Sequence, residues 1–105
     1  SGNTAMLLLQ LLSERDMYGY EMIEALQQRS NHVFELKAGT LYPLLHGMEA
    51  SNQLSSYEKE TGGKIRRYYR ITGEGRRELK RKKDEWAAYE KAVSQVMGGE
   101  VYGNG

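Results

Sequence analysis

The stretch Lys37-Ala38-Gly39-Thr40-Leu41-Tyr42-Pro43-Leu44-Leu45-His46-Gly47-Met48 narrows the possible folds more than any other part of the chain. Leu41, Leu44, Leu45 and Met48 recur at the i, i+3, i+4, i+7 spacing of a helix with one buried stripe. Gly39, Pro43, His46 and Ala50 fall on the opposite side, flanked by Thr40 and Tyr42. That face is small and nearly uncharged, so no long side chain holds a neighbouring surface away from the backbone. Pro43 suggests where the helix starts: in a first turn begun near Ala38 to Thr40, its missing N–H has no partner to lose. The stretch predicts a short helix that buries one side in its own domain and shows the other to something outside.

The remaining chain supplies the elements around it. From Thr4 to about Glu14 the residues are helix formers, with Asn3 or Thr4 as N-cap and almost no polar face. A helix apolar nearly all round needs more than one cover, and Met6, Leu9 and Gln10 are expected to need a second subunit. A second helix is expected from about Tyr18 to Gln28, with Met22, Ile23 and Leu26 inward. Leu54 to Glu58 and Ile65 to Thr72 read as two strands. Between them Gly62-Gly63 suits a tight return, and the loop 59–64 carries Lys59 and Lys64 outward. On the second strand Ile65, Arg67, Tyr69 and Ile71 alternate with Arg66, Tyr68, Arg70 and Thr72, and the first set is expected to face the core. Thr72 caps a long final helix to about Met97, whose Leu79, Trp86, Tyr89, Val93 and Val96 form a heptad-like seam. Residues 98–105, with four glycines, are expected to fray.

Composition removes several function classes. The chain has 105 residues, no cysteine and two histidines, so one domain without disulfides or thiol chemistry is expected. His32 and His46 make no ligand cluster, no glycine loop cradles phosphate, and no serine has a nucleophile's context, so neither an enzyme nor a cofactor is expected. The longest apolar run, Ala5 to Leu9 resuming at Leu11 and Leu12, is too short for a bilayer and lacks a signal peptide's pattern. A soluble cytoplasmic protein follows as the expectation. Net charge is only +1, but residues 64–83 hold ten Lys and Arg against two Glu, whereas residues 1–58 hold three against seven acidic residues. A basic block in a nearly neutral chain suits a polyanion, with the plain alternative that Arg76 to Lys83 is a solvated helix face.

Three helices, a hairpin with a basic tip and a trailing helix describe a winged helix-turn-helix. The expected class is mainly α with a small β-hairpin: a DNA-binding domain over 3–72 and a C-terminal dimerisation helix over 73–97. The chain also resembles the PadR-like transcriptional regulators. The carriers are Tyr18-Gly19-Tyr20-Glu21, Gly39-Thr40-Leu41-Tyr42-Pro43-Leu44-Leu45, Gly62-Gly63 with Arg67-Tyr68-Tyr69-Arg70-Ile71-Thr72, and Glu74-Gly75-Arg76. The resemblance implies a homodimeric repressor whose last helix and first helix form the interface, and a single long helix after the wing looks like the short subfamily. His46-Gly47-Met48-Glu49-Ala50-Ser51-Asn52 departs from the pattern, because basic residues and a later glycine are more usual there.

The expected DNA-binding residues divide by chemistry. Thr40, Tyr42, Pro43 and His46 suit base edges, through hydroxyl bonds, ring contacts with thymine and an imidazole donor. Lys37, Lys59, Lys64, Arg66 and the Tyr18 hydroxyl suit phosphates. Tyr42 packed on the hairpin and His46 merely solvated are the plain alternatives. Dimer symmetry predicts a pseudo-palindromic operator with half-sites about one helical turn apart. Leu9, Leu79, Trp86, Tyr89, Val93 and Val96 are expected at the dimer interface. Trp86 has two readings: dimer core, or, as the resemblance implies for some short family members, one of two indoles sandwiching a planar aromatic effector. Met6, Gln10 and Glu90 would then line that pocket. The competing function is a winged-helix module that binds protein through the third helix.

Overall fold

The computed structural model describes residues 2–98. The elements are α1 (Gly2–Glu14), β1 (Met17–Tyr18), α2 (Gly19–Arg29), α3 (Ala38–Ala50), β2 (Leu54–Thr61), β3 (Lys64–Ile71) and α4 (Gly73–Val96). They form a winged helix: three helices, a three-stranded antiparallel sheet in the order β1-β3-β2, and a long trailing helix. The expected tail falls, from residue 99 on, outside the described residues.

One core joins all the layers. Leu8, Leu9 and Leu12 of α1, Met22 of α2, Leu41 and Leu45 of α3 and Tyr69 of β3 are its fully buried members. The stripe read on α3 is the one buried: Leu41 and Leu45 are inaccessible, Met48 is buried and Leu44 packs against the cluster. Leu79 brings the start of α4 into the same core. Two expected interface residues are therefore corrected. Leu9 and Leu79 are 0 % and 6 % exposed within the single chain, so they have almost no surface left for a partner. For Leu9 the folded chain itself supplies the second cover, whereas Met6 stays partly exposed.

Pro43 also sits differently from its expected place. Lys37 is the N-cap, and its carbonyl accepts from Thr40 and Leu41 N–H at 3.0 and 2.9 Å. The helix thus begins at Ala38, Pro43 falls in the second turn, and the carbonyl of Gly39 lacks the i+4 partner a non-proline residue would provide. Similarly, α1 begins at Gly2, so Asn3 and Thr4 lie inside its first turn and neither caps it.

The wing is longer than the sequence suggested. Gly62 and Gly63 take φ of +60° and +80°, the two left-handed positions of a two-residue hairpin turn. Pairing runs to the turn itself, with Lys59 opposite Arg66 and Thr61 opposite Lys64. Lys59 and Lys64 are strand residues, not loop residues, because a glycine pair lets both strands continue to their ends. β1 was unforeseen: Met17 and Tyr18 pair with Tyr69 and Tyr68. At the far end Thr72 caps α4, its Oγ1 accepting from Gly75 N–H at 3.0 Å and donating to Asn52 O at 2.6 Å.

Candidate nucleic-acid interface

The outward side of α3 is open, as its composition required: Gly39, Thr40, Tyr42, Pro43, His46 and Ala50 are all exposed. Tyr42 and His46, four residues apart, form one wall of a cleft of about 390 Å³. The start of α2 contributes Tyr18, Gly19 and Tyr20, and β3 contributes Arg66, Arg67 and Tyr69. The fold thus gathers four of the expected residues, Tyr18, Tyr42, His46 and Arg66, around one cleft. Lys37, at the N-cap of α3, and Thr40 and Pro43 on the helix lie outside it, and Lys59 and Lys64 lie on the wing.

Gly19, Tyr20 and Arg67 line the same cleft and were not among the expected residues. A Cβ on Gly19 would fall 2.7 Å from Cζ of Tyr42 and nearer still to its hydroxyl, so the ring of Tyr42 rests on bare backbone. Tyr42 packs there, against the start of α2, and remains 40 % exposed. Arg67 shares the face of Tyr69, as the alternation indicated. The core ends at Tyr69, 1 % exposed, and leaves the next same-face residue, Arg67, in the open.

Electrostatics divide the cations of the basic block, and on the wing Arg67 pairs with Glu58 at 3.5 Å and donates to Ser56 Oγ at 3.0 Å. Arg77, Lys80, Arg81 and Lys82 each pair with a carboxylate three or four residues away, including Arg81 with Glu78 and Glu85 at 2.6 Å. The hydrogen bond from Arg81 holds the Glu78 carboxyl below its ordinary value. Much of the second half of the basic block therefore fits the plain reading, a solvated helix face. Among the described residues Lys37, Lys59, Lys64 and Arg66 have no salt bridge. Arg70 pairs with Asp16 at 3.2 Å, and Asp16 also accepts from the Tyr57 hydroxyl at 2.6 Å. That bond, with burial, pushes the Tyr57 hydroxyl up from its ordinary value.

A second candidate region lies on α4. From residue 83 to residue 97 every residue is exposed except Ser94, and Trp86, Tyr89, Val93, Val96 and Met97 make an apolar strip. Trp86 stacks on Tyr89 at 5.8 Å between ring centroids. A groove of about 550 Å³ is lined by Asn3, Met6, Lys82, Glu85, Trp86 and Tyr89. Glu90 lines the adjoining one, of about 390 Å³, with Trp86, Tyr89, Val93 and Ser94. Gln10 does not join them: it donates to Glu14 at 2.9 Å and lines a separate groove with Leu7, Leu11, Leu26 and Phe34. Being one helical turn from Met6 was not enough, because Gln10 follows Leu7 and Leu11 toward α2. Among the described residues no group of three or more His, Cys, Asp or Glu is placed to hold a metal ion, and no helix is long and apolar enough to cross a membrane.

These features define the class as a winged-helix protein. Residues 8–81 match the transcriptional regulator PadR-like family. A transcriptional regulator from Clostridium thermocellum has a similar structure, with a TM-score of 0.83 and 34 % identity over 90 % of this chain and 92 % of that one. A PadR family transcription regulator from Clostridium difficile superposes with a TM-score of 0.77 and 38 % identity, over 89 % of this chain and 96 % of that one. A transcriptional regulator from Mycobacterium tuberculosis is 38 % identical over 75 % of this chain and 73 % of its own length. The chain belongs to the PadR-like transcriptional regulator family, whose members are regulators rather than enzymes, bind DNA and typically dimerise.

Proposed function

We propose that the chain is a sequence-specific, homodimeric repressor that reads a pseudo-palindromic DNA operator in the cytoplasm and is released by a planar aromatic effector. The observation that carries the DNA reading is the juxtaposition at the cleft: the Tyr42 hydroxyl and the His46 imidazole on α3 beside arginines of β3, with no carboxylate among its lining residues. Thr40, Tyr42, Pro43 and His46 contact base edges in the major groove. Lys37, Lys59, Lys64, Arg66 and the Tyr18 hydroxyl hold phosphates. The uncharged face of α3 reads sequence while the wing supplies most of the attraction.

The apolar strip of α4 supports a dimer, because four large exposed hydrophobic residues on one helix, with Met97 at its C-cap, are a surface that water disfavours. Trp86 and Tyr89, stacked beside Met6 in an open groove, support an aromatic ligand seated where two subunits meet. The test is fluorescence anisotropy of a duplex from the chain's own promoter against a random duplex, over a salt series. A DNA-binding regulator shows a preference for the promoter and an affinity that falls steeply with salt. Equal, salt-insensitive binding to both favours a protein-binding winged helix instead. Quenching of Trp86 by planar aromatic compounds, coupled to loss of DNA, tests the effector.

A further inference from the structure

The outer face of the wing has an order that the function above leaves unused. Antiparallel register puts Tyr18 of β1, Tyr68 of β3 and Tyr57 of β2 in one row across the sheet. Tyr68, at the centre, meets Tyr18 edge-on at 5.4 Å and stacks on Tyr57 at 5.7 Å, with 15° between the planes. It is 7 % exposed, and its hydroxyl lies 2.9 Å from Thr61 Oγ1. A tyrosine this well covered on the side of the sheet away from the core is part of a small second core.

Cations flank the row on both sides and are treated differently. On the side of the helices, Arg70 lies over Tyr57 at 4.8 Å and is neutralised by Asp16. On the side of the hairpin tip, Lys59 lies 5.2 Å from the centroid of Tyr68 and Arg66 lies 4.5 Å from that of Tyr18. Lys59 and Arg66 are direct cross-strand partners, an arrangement that like charges disfavour. Among the described residues no carboxylate answers either of them, and Nε of Arg66 is buried without an acceptor. Ring faces hold these two side chains, leaving their charge uncancelled.

We propose that the tyrosine row is a platform, and Tyr68 its central positioning residue, that fixes Lys59 and Arg66 as a ready-made pair for the phosphates of the DNA backbone. The inference rests on the DNA-binding reading and adds a role to Tyr68 and Tyr57, which are not among the residues proposed to touch DNA. Side chains ordered before binding lose less freedom when a phosphate arrives, so the rings contribute to affinity without contributing charge. Cation–ring contact is compatible with this because it leaves the outer N–H groups free to donate.

The test separates position from charge. Tyr68→Leu keeps a buried apolar residue but removes the ring, and is expected to weaken binding to a random-sequence duplex by roughly three- to tenfold. The slope of log affinity against log salt stays as in the unaltered protein, whereas Lys59→Gln lowers it by about one. In a Lys59→Gln/Arg66→Gln background, Tyr68→Leu costs nothing more. In the free protein, the ε-methylene protons of Lys59 resonate upfield of their usual position through the Tyr68 ring current, and Tyr68→Leu removes that shift. Tyr57→Leu, which strips one side of the stack, gives a smaller loss of the same kind and serves if Tyr68→Leu does not fold. Unchanged affinity in both variants, a changed salt slope, or an equal loss in the double-glutamine background overturns the inference alone. An unaltered protein that binds no duplex overturns the functional reading as well.

Discussion

Gly19→Ala tests how α3 is held. Gly19 opens α2, and the three atoms nearest a Cβ added there all belong to the Tyr42 side chain, the closest carbon at 2.7 Å. The backbone can accept alanine, since Gly19 is not among the glycines with positive φ. The helix gains about 0.5–1 kcal/mol from the exchange. Against that, the phenol of Tyr42 must leave its seat. At 40 % exposure most of the ring is covered. Releasing about 80 Å² of it at ~25 cal/mol per Å² costs about 2 kcal/mol. The expected net is a loss of about 1 kcal/mol by urea unfolding, with DNA binding weakened about tenfold as Tyr42 swings out of the cleft. The decisive measurement is a double-mutant cycle. In a Tyr42→Ala background the obstruction is gone, so Gly19→Ala turns stabilising, giving a coupling of about 2 kcal/mol between the two sites. Equal costs in both backgrounds refute the account.

Further outcomes follow from other contacts. Thr72→Ala removes the cap of α4 and the bond to Asn52 O, costing about 1 kcal/mol and several degrees of Tm by calorimetry, while Thr72→Ser keeps both. Trp86→Ser weakens the proposed dimer by on the order of 30-fold in sedimentation equilibrium, and an unchanged association constant counts against the α4 interface. Hydrogen bonds from Arg29 and Arg81 hold Glu14 and Glu78 below the ordinary value of 4.5. A depressed carboxyl stabilises the fold above its unfolded-state value, and the gain is lost as pH falls through the folded one. Thermal scans are therefore expected to show falling Tm on acidification below about 4.5, with a shallower fall for Glu14→Gln/Glu78→Gln.

Local patterns were legible in the sequence where one segment decides the outcome. The stripe Leu41, Leu44, Leu45 and Met48, the Thr72 cap and the Gly62-Gly63 turn are short-range features with a single physical solution. What escaped depended on partners distant in the chain. β1 has two residues and exists because β3, about fifty positions later, pairs with it. Leu9 and Leu79 looked like surface for a second subunit because periodicity says that a face is buried but not by what. Arg67 was set aside as core-facing, and only the folded wing shows that the core stops one pair short of it. Gly19 belongs to the motif Tyr18-Gly19-Tyr20, yet its missing Cβ acquires a purpose only when Tyr42 is seen resting on it. Gln10 was grouped with Met6 by spacing and turned toward α2 instead.

The pairing of β1 with β3 has a mechanical consequence. The start of α2, the strand behind the wing and, through Asp16, both Tyr57 and Arg70 are fastened together, and Tyr42 seats α3 on the same segment, so wing and α3 form one connected head. Such a head has little internal play for a ligand to exploit. In the proposed dimer, what is left to adjust is the separation of two heads, each mounted on the 24-residue rod of α4. At 1.5 Å per residue about 20 Å of that rod lies between Trp86 and its start at Gly73, so a tilt of about 5° at the aromatic pair moves the start by about 2 Å. In the proposed dimer, a small wedge between the rods is therefore expected to change the spacing at which the two heads meet DNA.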